Sequence, residues 1–124
     1  MHTMPPGTYY VGDLCYVLVN QWDDVCKLLI EGENVKQGSF TLPNGTQFAI
    51  FNTAYGDGIY RDEIGNEYGV DSGSIGCVKI DNISPEILER IKNYSAVVNF
   101  PSGLSCYEVD GVIHLGDITI DTND

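Results

Sequence analysis

The sequence predicts an α+β fold, a mostly antiparallel sheet or partly closed barrel with two short helices. Three observations predict it. Short runs rich in Tyr, Val, Ile and Phe alternate with turn signals such as Pro43-Asn44-Gly45 and Asp110-Gly111 along the whole chain. Only two segments, opening near Asn20 and Ser84, space their apolar residues at the helical period. Hydrophobic residues are 43% of the 124, enough for the core of one domain over residues 1–124. Residues 1–7 and 121–124 are expected to fray.

Thr8 to Val19 reads as strand, with Gly12-Asp13 marking a bulge or tight bend. Asn20 is placed to cap the first helix, and Asp23 suits its positive N-terminal end. Trp22, Val25, Cys26 and Leu29 fall on one face of it, and Gly32 supplies the stop. Next comes a hairpin at Leu42-Pro43-Asn44-Gly45-Thr46. A two-residue Asn-Gly turn would put Pro43 where the ladder wants an N–H, so a three-residue loop with Gly45 in the left-handed position fits better. Phe40 then faces Phe48, and Phe40, Leu42, Phe48 and Ile50 share one face.

Ile59–Asp62 and Glu67–Asp71 form a second hairpin turning at Ile64-Gly65-Asn66, and Ser74–Ile80 is a short strand. Ser84 caps the second helix, with Pro85 at its first position and Glu86 in its first turn. Ile83 and Leu88 are spaced as a hydrophobic staple. Ile87, Leu88, Ile91 and Tyr94 form its buried stripe, and Arg90 and Lys92 suit its C-terminal end. Ala96–Phe100 is strand, broken at Pro101. Cys106–Val109 and Val112–Leu115 pair across Asp110-Gly111, and Asp117–Ile120 is a last edge strand after a bend at Gly116.

Lys plus Arg number 6 and Asp plus Glu 18, a net charge of −12 with a pI near 4.2. So few scattered cations speak against direct nucleic-acid binding, which is driven by release of phosphate counterions. The longest apolar run, Leu28-Leu29-Ile30, is far from the roughly 20 residues that span a bilayer, and the first residues show no basic and apolar leader pattern. A cytoplasmic location and no membrane association are expected. Cys15, Cys26, Cys77 and Cys106 make no C-x-x-C pair. With no leader pattern, buried free thiols in a reducing compartment are expected over two disulfides, a thiolate nucleophile or a metal ligand.

Three segments share a pattern: Gly12-Asp13-Leu14-Cys15-Tyr16, Tyr55-Gly56-Asp57-Gly58-Ile59-Tyr60 and Val70-Asp71-Ser72-Gly73. Each sets an aspartate beside glycine at a strand edge. Taken singly, such an aspartate caps its own turn by accepting from nearby N–H groups. Brought together, the three would make a pocket of carboxylates and phenols for a ligand's hydroxyl or amine groups, or for a divalent cation. The candidate ligand-binding residues are Asp13, Tyr16, Tyr55, Asp57, Tyr60, Asp71, Ser72 and His114. No catalytic residue and no cofactor is assigned, and the metal question stays open.

Asp57, Asp62, Glu63, Asn66 and Glu67 resemble a calcium loop in composition but lack its order. Gly69, Gly73 and Gly76, with Ser72 and Ser74, offer an amide-lined anion pocket, which would need Arg61, Lys79 or a neighbouring subunit to hold a phosphate. His114 is expected to share a face with Tyr107, Val109 and Val112. The tyrosines, 8 in number, supply rigid contact area with a polar tip.

The segments Tyr10-Val11-Gly12-Asp13-Leu14-Cys15-Tyr16-Val17-Leu18, Tyr55 to Tyr60, Tyr68-Gly69-Val70-Asp71-Ser72-Gly73-Ser74-Ile75-Gly76 and Asp110 to Asp117, with Trp22, resemble a group of short uncharacterised proteins of bacteriophages, large DNA viruses and some bacteria. Leu14 and Gly69 stand where that pattern has proline. The resemblance implies a small accessory protein in a host cell and transfers no catalytic residue. The expected function is a non-catalytic binding module of counter-defence type that sequesters a nucleotide-like host signal or blocks a host protein, as a homo-oligomer. The alternatives are a metal-assisted hydrolase or lyase using Asp13, Asp57, Asp71 or His114, and a structural or virion-associated protein.

Overall fold

The computed structural model describes residues 1–91 and 93–123. Lys92, expected at the end of the second helix, and Asp124 lie outside the described residues. The fold is α+β and predominantly antiparallel. Its strands are β1 (His2–Met4), β2 (Gly7–Gly12), β3 (Ile30–Glu31), β4 (Asn34–Val35), β5 (Gly38–Thr41), β6 (Gln47–Asn52), β7 (Gly58–Arg61), β8 (Glu67–Val70), β9 (Ser74–Lys79), β10 (Ala96–Phe100), β11 (Leu104–Val109), β12 (Val112–Leu115) and β13 (Ile118–Asp121). Its helices are α1 (Trp22–Leu29) and α2 (Pro85–Arg90). One sheet runs β10-β2-β9-β6-β5 and a second runs β1-β11-β12-β13, while β3-β4 and β7-β8 are separate hairpins. Among the described residues these ladders do not close into a barrel.

The central strands are covered on both sides, which divides the interior into two cores. Tyr9, Val11, Ala49, Phe51, Ile75 and Cys77 face Leu104, Cys106, Ile113, Leu115 and Ile120 of the four-stranded sheet. Tyr10, Phe48, Ile50 and Val78 face Leu14, Leu18, Val25, Leu29 and Ile83 beneath the helices. This is why β9 lacks the apolar-polar alternation of a half-exposed strand. At Gly76, where β9 lies between β2 and β6, a Cβ would stand 2.1 Å from the Ala49 carbonyl oxygen. Only glycine lets the three strands approach there.

The first hairpin takes the proline-dictated register. Phe40 pairs with Phe48, their rings 5.7 Å apart, and Gly45 sits at φ +91°. The Tyr60–Tyr68 hairpin and the Asp110-Gly111 hairpin also form where expected. Ser84 accepts from the Ile87 N–H at 3.3 Å and caps α2.

Other expectations are corrected. The strand from Thr8 stops at Gly12, because Asp13 caps a 3-10 turn over Leu14–Tyr16 and redirects the chain. Asn20 caps nothing: it lies in a second 3-10 turn, Val19–Gln21, and α1 opens at Trp22 without a side-chain cap. Gly32 turns the β3-β4 hairpin, three residues past the end of α1, which closes at Leu29. Tyr94 lies beyond α2, 52% exposed and at φ +59°, so the inward stripe is left to Ile87, Leu88 and Ile91, which are half-buried against the core. His2–Met4 pairs with β11, and Thr122 is buried with its hydroxyl on the Gly111 carbonyl.

Candidate functional site

Two of the three Gly-Asp segments meet, and the contact is made by one buried carboxylate. Asp13 leaves the end of β2 with no exposed surface. Its Oδ1 accepts from the Cys15 N–H at 2.9 Å and from the Ser72 hydroxyl at 2.7 Å. Its Oδ2 accepts from the Asp71 N–H at 2.7 Å and the Ser72 N–H at 2.8 Å. Ser74, 2.8 Å from Ser72 Oγ, donates into that oxygen and completes the chain. Both oxygens are thus fully used, as burial of a charge demands. The anion pocket expected near Gly69–Gly76 is therefore occupied from within, because its amides at Asp71 and Ser72 hold the carboxylate of Asp13.

Asp71, tied in this way, is exposed and accepts a hydrogen bond from the Tyr16 hydroxyl. That bond, then burial, raises the Tyr16 phenol above its ordinary range. Burial, with a hydrogen bond to Asp13, pushes the Cys15 thiol up to about 12. The charge of Asp57 also reaches Cys15, which brings the third segment to the same end of the molecule. Thr53 anchors that segment: its N–H donates to the Gly73 carbonyl at 3.0 Å and its hydroxyl to the Gly56 carbonyl at 2.6 Å. Asp57 and Tyr55 point outward, Tyr55 at 72% exposure. Tyr60 instead is buried, its hydroxyl on the Gly56 carbonyl at 2.9 Å, and shapes the loop rather than a ligand surface.

His114 is placed elsewhere. It shares the outer face of the four-stranded sheet with Tyr107, stacked at 4.3 Å between ring centroids, and with Thr119 at 3.4 Å. The expected face is the one observed, but its neighbours are these and not the aspartate turns.

Beside Tyr16 opens a cleft of about 300 Å³ lined by Tyr16, Gly69, Arg90, Ile91, Asn93 and Tyr94. Gly69 and Tyr94 are joined by a bond from the Gly69 N–H to the Tyr94 carbonyl at 3.1 Å. Among the described residues Arg90 has no carboxylate partner, unlike Lys36 with Glu31 and Arg61 with Glu67. Sequence reading missed this cleft, since Arg90 and Tyr94 were assigned to a helix end and a helix stripe. The sequence held no signal for it, because Glu86 stands four residues before Arg90 at ordinary helical ion-pair spacing.

A second buried carboxylate was also missed as such. Asp62 accepts from the Ile64 and Asn66 N–H groups, the Asn66 amide and the Tyr68 hydroxyl at 2.8–3.1 Å. Burial raises its pKa, but the bonds from Tyr68 and Asn66 outweigh that and leave it lowered. These are hairpin contacts, not a calcium loop. Among the described residues no group of three or more His, Cys, Asp or Glu is placed to hold a metal ion. Nor, among the described residues, is any helix long and apolar enough to cross a membrane. No family model matches the chain, nor does any curated protein or solved structure.

Proposed function

We propose that the chain is a non-catalytic binding module whose ligand joins a planar ring to an anionic group, as a nucleotide does. The observation that carries this reading is the Asp13 clamp. A carboxylate with both oxygens saturated by two loops has no lone pair left for chemistry, and what it does is hold Tyr16 and Asp71 in place beside the cleft. The faces of Tyr16 and Tyr94 suit a stacked ring, an interaction worth about 1–3 kcal/mol per base. Arg90 supplies the cation for the anionic end. Asp71 accepts from ligand hydroxyl or amine groups.

In the viral setting that the motif resemblance implies, such a module sequesters a host signal in the host cytoplasm, as a homo-oligomer. Blocking a basic host protein through the −12 charge is the second form of the same reading. A partly closed barrel belongs with it: the Asp62–Ile120 bridge, the Thr119 N–H bond to Glu63 and the Gly69–Tyr94 bond draw the small hairpin against its neighbours.

The test is to incubate the protein with a nucleotide extract, wash, and release what it holds by heat. Intact nucleotide is expected. An altered product would move the protein to the hydrolase or lyase class, and no retained ligand would favour a structural role. Arg90→Ala and Tyr16→Phe should each fold normally. Arg90→Ala should weaken binding of the recovered nucleotide by about tenfold or more.

A further inference from the structure

Resting on the nucleotide reading above, we infer that the ligand carries a second, uncharged polyhydroxyl unit, as a nucleoside diphosphate sugar does, and that this unit lies in a neighbouring cleft across Tyr94. That cleft has a volume of about 490 Å³ and is lined by Gly65, Asn66, Glu67, Asn93, Tyr94 and Ser95. Asn93 and Tyr94 line the Tyr16–Arg90 cleft as well, so the two share a wall.

Strand β8 runs beneath both. Its residues alternate, with Tyr68 and Val70 buried and Glu67 and Gly69 half-buried on the other face. Glu67 lines one cleft and Gly69 the other. A Cβ at Gly69 would stand 3.2 Å from the Tyr94 Cβ, so a side chain there would push Tyr94 away. The Gly69 N–H also donates to the Tyr94 carbonyl at 3.1 Å. Tyr94 is thereby held at φ +59°, a left-handed conformation that bulky residues avoid. The ring gains little burial in return, being 52% exposed, so packing does not account for its position. Standing between two clefts does.

The chemistry of the two clefts differs. The Tyr16–Arg90 cleft holds a guanidinium, whereas among the described residues no Lys or Arg lines the second, which carries the Glu67 carboxylate. Glu67 meets Arg61 through Oε2 at 2.8 Å, which leaves Oε1 to accept. Asn66 donates its amide to Asp62 at 3.1 Å, which leaves its carbonyl oxygen. The exposed Asn93 amide makes no hydrogen bond among the described residues and offers both a donor and an acceptor. Open acceptors beside a carboxylate suit hydroxyl groups and disfavour a second anion. A ring and an anionic group in one cleft, with hydroxyl groups in the next, match a nucleotide whose phosphate is esterified to a sugar.

The experiment is isothermal titration calorimetry of the full chain with UDP, UDP-glucose, ADP and ADP-glucose at one ionic strength. For at least one of the two bases, the sugar nucleotide should bind about tenfold more tightly than the plain diphosphate. Glu67→Ala and Asn93→Ala should each erase most of that margin and leave the plain diphosphate unchanged. Arg90→Ala should weaken both kinds of ligand, and so should Gly69→Ala, which displaces Tyr94. Asn93→Ala, at an exposed side chain, decides the matter alone if Glu67→Ala fails to fold. Equal affinity for the sugar nucleotide and the plain diphosphate, or a margin that survives these variants, would overturn the second unit and leave the nucleotide reading standing. No binding of either kind at millimolar concentration would overturn both.

Discussion

Asp13 and Asp62 are two buried aspartates that do similar work at very different range. Each saturates its carboxylate with four donors. Every partner of Asp62 lies within six residues of it, so the group stiffens one hairpin. Three of the four bonds to Asp13 come from residues 58 and 59 positions away. The same chemistry thus builds a local turn in one place and a joint between distant loops in the other. Only the second kind can assemble a site, since only it fixes one loop's side chains relative to another's.

The comparison is broken most directly at Asp13. Asp13→Ala takes the acceptor from the Asp71 and Ser72 amides and the Ser72 hydroxyl and empties the place of a fully buried side chain, and should cost about 3–5 kcal/mol by chemical denaturation. Asp62→Ala should cost less, about 2–3 kcal/mol, with faster amide exchange confined to residues 58–70. Equal losses, or exchange spreading to the Tyr16 turn from Asp62→Ala, would erase the distinction. Acid sharpens it. The folded pKa of Asp62 lies below its ordinary value, so its contribution is complete at neutral pH and is lost as pH falls through the folded pKa, below about 4. Asp62→Ala should remove that part of the acid transition, read by unfolding at a series of pH values.

The smaller effects concern the rim. Ser72→Ala removes one bond to Asp13 and should cost about 1 kcal/mol. Cys15, though partly accessible, should resist alkylation up to about pH 12, while a free thiol reacts from roughly pH 8.5. In the unfolded chain the same thiol should react normally, so the fold's preference for its protonated form is lost as pH rises through the folded value.

Local chemistry made much of the fold legible. Pro43 dictates its hairpin register because a proline has no N–H to give, and Ser84-Pro85 announces a helix start through groups that touch only their neighbours. The strand expected through Val19 failed for the opposite reason. Tyr16, Val17 and Leu18 have strand propensity, but the Asp13 cap curls the chain into a 3-10 turn that ends at Tyr16, and Val17 and Leu18 follow it into the core beneath α1. At the site, the repeated Gly-Asp pattern named Asp13, Asp71 and Ser72 as candidates, and only the fold brings them together. What did not follow was that an amide nest in the 69–76 segment would be filled by the aspartate that ends the neighbouring strand β2. Arg90 and Tyr94 were hidden because their role depends on where α2 ends relative to Tyr16, a tertiary fact without a local signature.

The central claim is that the Asp13 clamp presents the Tyr16–Asp71 pair to a ligand in the adjoining cleft. Amide-resolved NMR titration of the full chain with a nucleoside monophosphate tests it most directly. The account predicts shifts concentrated at residues 13–16, 69–72 and 90–94, and their loss in Arg90→Ala. Shifts centred instead on Tyr107 and His114, or none at millimolar ligand, would contradict it.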